Sequence, residues 1–120
     1  MKDYRNIANE YHAGFASLGD DIPGPIKAFR ELMTAVIRDG ALSKKTKELI
    51  AFAIAITVRC DGCLAHHAQA VLEAGASRAE VAEMIGVALL MGGGPSSVYG
   101  VEAMRAYDEF AGGPSAGPKG

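Results

Sequence analysis

The chain has 120 residues and a mass of 12.5 kDa, room for one compact domain and little more. Hydrophobic residues make up 49% and charged residues 22%, a globular balance that excludes a wholly disordered chain. Twelve Lys and Arg against fourteen Asp and Glu leave a formal charge of −2, with no basic footprint for a nucleic acid partner.

The 21 alanines, the absence of Trp and an aromatic content of 7% predict helices packed closely through small aliphatic side chains. The first helix places Tyr4, Ile7, Ala8, Tyr11 and Phe15 on one face, at spacings of three and four. Gly19 to Pro25 reads as a loop, with Pro25 suited to a first helical turn. A second helix runs from about Ile26 to Asp39 with Phe29, Met33, Val36 and Ile37 inward, and Gly40 stops it. Ser43 is the expected N-cap of a third helix, from Lys44 to about Arg59. Its stretch from Leu49 to Val58 is apolar on every side, which calls for burial within the domain or within an oligomer.

After a break near Cys60-Asp61-Gly62 a fourth helix continues to about Ala74, where Gly75 is a good stop. Ser77-Arg78-Ala79-Glu80 has the capping-box pattern and opens a fifth helix carrying Val81, Met84, Ile85, Ala88 and Leu89. Met84, Met91 and the Leu89-Leu90 run read as core or subunit interface. Gly92-Gly93-Gly94-Pro95 ends that helix and starts a sixth, with Gly100, Ala103, Met104, Tyr107 and Phe110 on one stripe. The expected organisation is one helical domain over residues 1–111 and a disordered Gly/Pro-rich tail over 112–120.

The first residues carry no apolar run of the kind a secretory signal has. The longest apolar stretch, Leu49 to Val58, is about half the length needed to cross a bilayer. A soluble, cytoplasmic protein without a membrane partner is expected. In that compartment thiols stay reduced by default, so two cysteines close in sequence suggest redox or metal chemistry more than a structural staple. No flavin, haem or nucleotide is expected, since nothing resembles a Gly-rich phosphate loop: Gly92-Gly93-Gly94 follows a helix and precedes Pro95 instead of joining a strand to a phosphate-binding turn. No resident metal is expected either.

The chemistry gathers in Arg59-Cys60-Asp61-Gly62-Cys63-Leu64-Ala65-His66-His67. With a helix beginning near Cys60, the spacings of three and four put Cys60, Cys63 and His67 on one face. A helix start presents free N–H groups and partial positive charge, and Arg59 adds a full charge; both favour a thiolate. Glu48 lies eleven residues before Arg59, roughly 16 Å back along the third helix, and His67 about eight residues beyond it, roughly 12 Å along a returning fourth helix. That offset lies within side-chain reach and gives the order Glu48, His67, Cys63: the carboxylate orients the imidazole and the imidazole takes a thiol proton.

Blander readings stand beside this one. The two cysteines would serve as small buried hydrophobes, or Cys60, Cys63 and His67 as ligands of a zinc-binding or structural helical module. Glu48 would be a solvated first-turn carboxylate beside Lys44, Lys45 and Lys47. His66 reads as structural or as a support behind the reacting groups, and His12 as exposed and unrelated.

Glu48, Cys60-Asp61-Gly62-Cys63 and His67 resemble the E-x11-C-x2-C-x3-H signature of the alkylhydroperoxidase D branch of the carboxymuconolactone decarboxylase superfamily. The likeness extends from about Ile22 to Phe110, with support from the opening of the third helix at Leu42-Ser43 and from the Gly92-Gly93-Gly94-Pro95 break. It implies an all-α fold assembled as a trimer or hexamer, and a thiol-dependent peroxidase or disulfide oxidoreductase with an antioxidant role. It implies further that Cys63 attacks the peroxide, Cys60 resolves the sulfenic acid to a disulfide, and Glu48 and His67 relay the proton. The partners would be a hydroperoxide or disulfide substrate, a thiol reductant or reductase protein, and further copies of the chain. Where the peroxidase branch carries a histidine before the second cysteine, this chain has Gly62, and it is shorter than that branch. The decarboxylase branch lacks the cysteine pair, which ranks lactone decarboxylation lowest.

Overall fold

The structure, a computed structural model, describes residues 1–112, and these hold six α-helices and no strand. The helices are α1 (Tyr4–Asp21), α2 (Pro23–Ile37), α3 (Lys44–Val58), α4 (Asp61–Glu73), α5 (Arg78–Gly92) and α6 (Gly94–Phe110). The tail expected from residue 112 falls, apart from Gly112 itself, outside the described residues. No helix among the described residues is long and apolar enough to cross a membrane.

Helix α4 packs against α1, α3 and α6. Leu64, Ala65, Ala68 and Val71 form its buried stripe, at the one, three and four spacings of a helix that meets neighbours on more than one side. Phe52, Ala55 and Ile56 of α3, Val81 and Ala88 of α5, and Ala103 and Ala106 of α6 complete the core with Tyr4 and Ala8. Alanine at so many contacts lets helix backbones approach closely, as the composition suggested. The capping box of Ser77 and Glu80 is present at the start of α5, and Ser43 caps α3 by accepting from the Thr46 N–H.

Two expectations at the N-terminal end need correction. Helix α1 continues through Gly19 to Asp21, where a loop was expected, and α2 begins at Pro23, before the anticipated Ile26. The break is confined to Ile22. A residue before proline is kept out of helical geometry, and Pro23, whose missing N–H costs nothing at a first helical position, can follow at once. The apolar face of α2 is also not inward: Phe29 is 46% exposed and Val36 54%. Among the described residues, helix α2 touches only α1 and, briefly, α3. Its periodicity identified the apolar face but not what covers it. The same holds for Ile54 and Val58 of α3, and for Leu90 of α5, which is 80% exposed.

The turn between α3 and α4 is tight. Arg59 adopts the left-handed conformation at φ 58°, and the Arg59 and Cys60 N–H groups donate to Ile56 O and Ala55 O, both at 3.2 Å. Left-handed backbone at a non-glycine residue costs about 1–2 kcal/mol, and the two hydrogen bonds that close the helix end hold it. The reversal brings α4 back along α3 with Cys60 at the junction.

Candidate functional site

Cys60 is the N-cap of α4, and its Sγ accepts the N–H of Cys63 at 3.2 Å. Cys60 and Cys63 are joined in a disulfide, with Cα atoms 5.1 Å apart, within the usual span for such a bond. Both residues are half-buried at the surface end of α4. Asp61, the first residue of that helix, suits its positive end and pairs with Lys2 at 3.0 Å, tying the N-terminal segment to the site.

One turn beyond Cys63, the same helix carries His67. Its Nδ1 lies 2.8 Å from Glu48 Oε1 on α3, a contact that spans nineteen residues of sequence. Glu48 is 5% exposed, so it is not the solvated first-turn carboxylate that its lysine neighbours suggested. A carboxylate only accepts, so it fixes the proton of a neutral His67 on Nδ1 and leaves Nε2 as the acceptor. The i, i+4 spacing keeps His67 on the helical face of Cys63.

His66, adjacent in sequence, turns toward α1. Its Nδ1 stands 3.0 Å from Nε2 of His12, and the two rings meet edge to face with centroids 5.3 Å apart. The rings of His66 and His67 are nearly perpendicular at 4.8 Å, and Tyr11 borders His66 at 6.4 Å. Burial, reinforced by His67 and His12, pushes His66 below the ordinary histidine range, with Glu48 opposing. His12 is exposed as expected, but it is not unrelated: it belongs to the cluster. Nothing in the sequence marked it, because a lone histidine on a different helix, 54 residues from its partner, carries no local pattern.

The structure thus brings Glu48 to His67 and Cys60 to Cys63, and adds His12 through His66. Among the described residues, no group of three or more His, Cys, Asp or Glu is placed to hold a metal ion. Chemically, the arrangement is a dithiol/disulfide pair at a helix start, with an oriented imidazole on the same helix.

The sequence profile of the carboxymuconolactone decarboxylase family matches residues 23–106. An uncharacterised protein of Cupriavidus necator is 35% identical over 106 residues, covering 88% of this chain and 94% of the relative. The crystal structure of a carboxymuconolactone decarboxylase family protein from Legionella pneumophila superposes with a TM-score of 0.88 at 40% identity, covering 90% of this chain and 96% of that one. A family member from Thermotoga maritima, described with a suggested involvement in antioxidative response, superposes with a TM-score of 0.73 at 28% identity, covering 85% and 90%. This chain belongs to the carboxymuconolactone decarboxylase family.

Proposed function

We propose that the chain is a thiol-dependent peroxidase or disulfide oxidoreductase of the alkylhydroperoxidase D type. The observation that carries this reading is the Glu48–His67 contact placed on the helix that starts with the Cys60–Cys63 pair. The suggested antioxidative role of the Thermotoga maritima relative is in keeping with it.

In the reduced protein, His67 Nε2 draws the proton from Cys63, and Glu48 stabilises the resulting imidazolium. The Cys63 thiolate attacks the O–O bond of a hydroperoxide. An S–O bond forms, the O–O bond breaks, and the departing alkoxide takes the proton from His67. Cys60 then attacks the sulfenic acid of Cys63: the S–S bond forms, the S–O bond breaks, and the hydroxyl leaves as water with the Cys60 proton. The thiol pair has lost two electrons and the peroxide has gained them. An external dithiol or a reductase protein returns the pair to the reduced state by thiol–disulfide exchange.

The working form in this reading is a homo-oligomer, a trimer or hexamer, of a cytoplasmic protein. The exposed apolar residues of α2, α3 and α5 would be covered by further copies.

The test is hydroperoxide consumption with dithiothreitol as reductant. Cys63→Ser should abolish it. Cys60→Ser should stop at a sulfenic acid that dimedone traps on Cys63. Consumption unchanged in Cys63→Ser overturns the reading, and an activity that survives loss of both cysteines would point to the non-thiol chemistry in the family's name.

A further inference from the structure

The Glu48–His67 pair needs its imidazole held in one orientation, and the bond to Glu48 fixes one edge of the ring only. A second neighbour of that ring is His66, nearly perpendicular to it at 4.8 Å. His66 is itself held from a different helix, through the 3.0 Å contact between its Nδ1 and His12 Nε2. We propose that His66, clamped by His12, is a positioning residue of this site: it packs against the His67 imidazole and keeps Nδ1 on Glu48, so that Nε2 remains the acceptor for the Cys63 proton. This inference rests on the thiol reading above and deepens it by adding α1 to the site.

The chemistry of the clamp is specific to two imidazoles. One nitrogen donates and the other accepts, so a neutral pair makes one good hydrogen bond, whereas two protonated rings would point N–H at N–H across 3.0 Å. The groups that face His66 are His12 from α1, His67 on its own helix and Glu48 from α3, with the Tyr11 ring at its side. Burial and the two histidines disfavour charge on His66. A neutral His66 neither repels a proton on His67 nor competes for Glu48. Loss of the clamp therefore removes orientation without relieving any repulsion, and the effect on Cys63 has one sign: less thiolate.

Two variants separate the parts. His66→Phe keeps a ring beside His67 but removes the bond to His12. His12→Phe removes the bond from the exposed side, where folding is not at stake. In the reduced protein, nitrogen NMR should find His67 as a single Nδ1–H tautomer. Either variant should turn it into a mixture. The pH midpoint of Cys63 alkylation by iodoacetamide should rise by about half a unit or more, roughly threefold in rate near neutrality. Because His12 acts through His66, the double variant should resemble His66→Phe alone.

An unchanged His67 tautomer and an unchanged alkylation profile in His12→Phe overturn the clamp, as does strict additivity in the double variant. The readouts need no peroxide. A tautomer change in a protein that neither consumes hydroperoxide nor exchanges disulfides would sink the proposed function and leave the clamp standing, while normal turnover with an unmoved His67 would sink the clamp alone.

Discussion

Glu48 Oε1 and His67 Nδ1 meet at 2.8 Å across the α3–α4 junction, with the carboxylate almost wholly removed from water. A buried carboxylate is expensive unless a hydrogen-bond donor meets it. The imidazole supplies that donor, and in the proposed mechanism its second nitrogen takes the Cys63 proton. One contact therefore holds α3 against α4 and, in the proposed mechanism, also orients the imidazole toward the thiol.

Replacing Glu48 by Gln keeps the size and an acceptor but removes the charge that, in the proposed mechanism, stabilises the imidazolium formed as Cys63 gives up its proton. A hydrogen bond to a charged group contributes about 1.5–3 kcal/mol, so Cys63 alkylation in the reduced protein should slow roughly tenfold or more near neutral pH. Following iodoacetamide incorporation against pH checks this. An unaltered profile would mean that the carboxylate has no part in activating the thiol.

The lowered proton affinity of His66 makes stability depend on pH. A histidine that takes up protons less readily when folded costs stability as pH falls: the unfolded chain begins to bind a proton near 6.5, while the folded chain resists until lower pH. Urea midpoints measured from pH 7.5 down to 5 should therefore fall more steeply in the wild type than in His66→Phe. Parallel curves would remove His66 from the account of acid sensitivity.

Helices α5 and α6 meet at Gly100, which is buried. A Cβ there would stand 2.8 Å from Ile85 Cγ2, a branched side chain with little freedom to withdraw. Gly100→Ala gains about 0.5–1 kcal/mol of helix propensity and loses about 1–3 kcal/mol to overpacking. A net loss of about 1 kcal/mol is expected in urea unfolding. A stabilised variant would show that Ile85 can move aside.

Leu90→Glu places a charge where a largely exposed leucine stands on α5. If further copies cover this face, sedimentation should shift toward the monomer, with helix content retained. An unchanged sedimentation coefficient would take this part of α5 out of the interface.

Much of this was legible in the sequence, for physical reasons. Ser43, the Ser77 and Glu80 box and Pro95 act locally, and α3, α5 and α6 begin as those residues dictate. The rise per residue of a helix sufficed to set Glu48 opposite His67, because a tight turn at Arg59 makes the two helices return along each other. The left-handed Arg59 itself carried no signal, being a residue type that rarely adopts that conformation. Ile22 was missed as the only break between α1 and α2, since Gly19 to Pro25 reads as a loop. The burial of Phe29 and Val36 was misjudged because periodicity names a face without naming its neighbour. His12 was beyond reach for a similar reason: its partner lies on a helix far along the chain.

The most direct test is a redox titration of the thiol pair against a dithiol/disulfide buffer, with free thiols counted at each step. A reversible two-electron transition between Cys60–Cys63 disulfide and dithiol, lost in Cys63→Ser, is the predicted result. Two thiols that stay reduced across the whole range would contradict the account and remove the basis for a thiol mechanism.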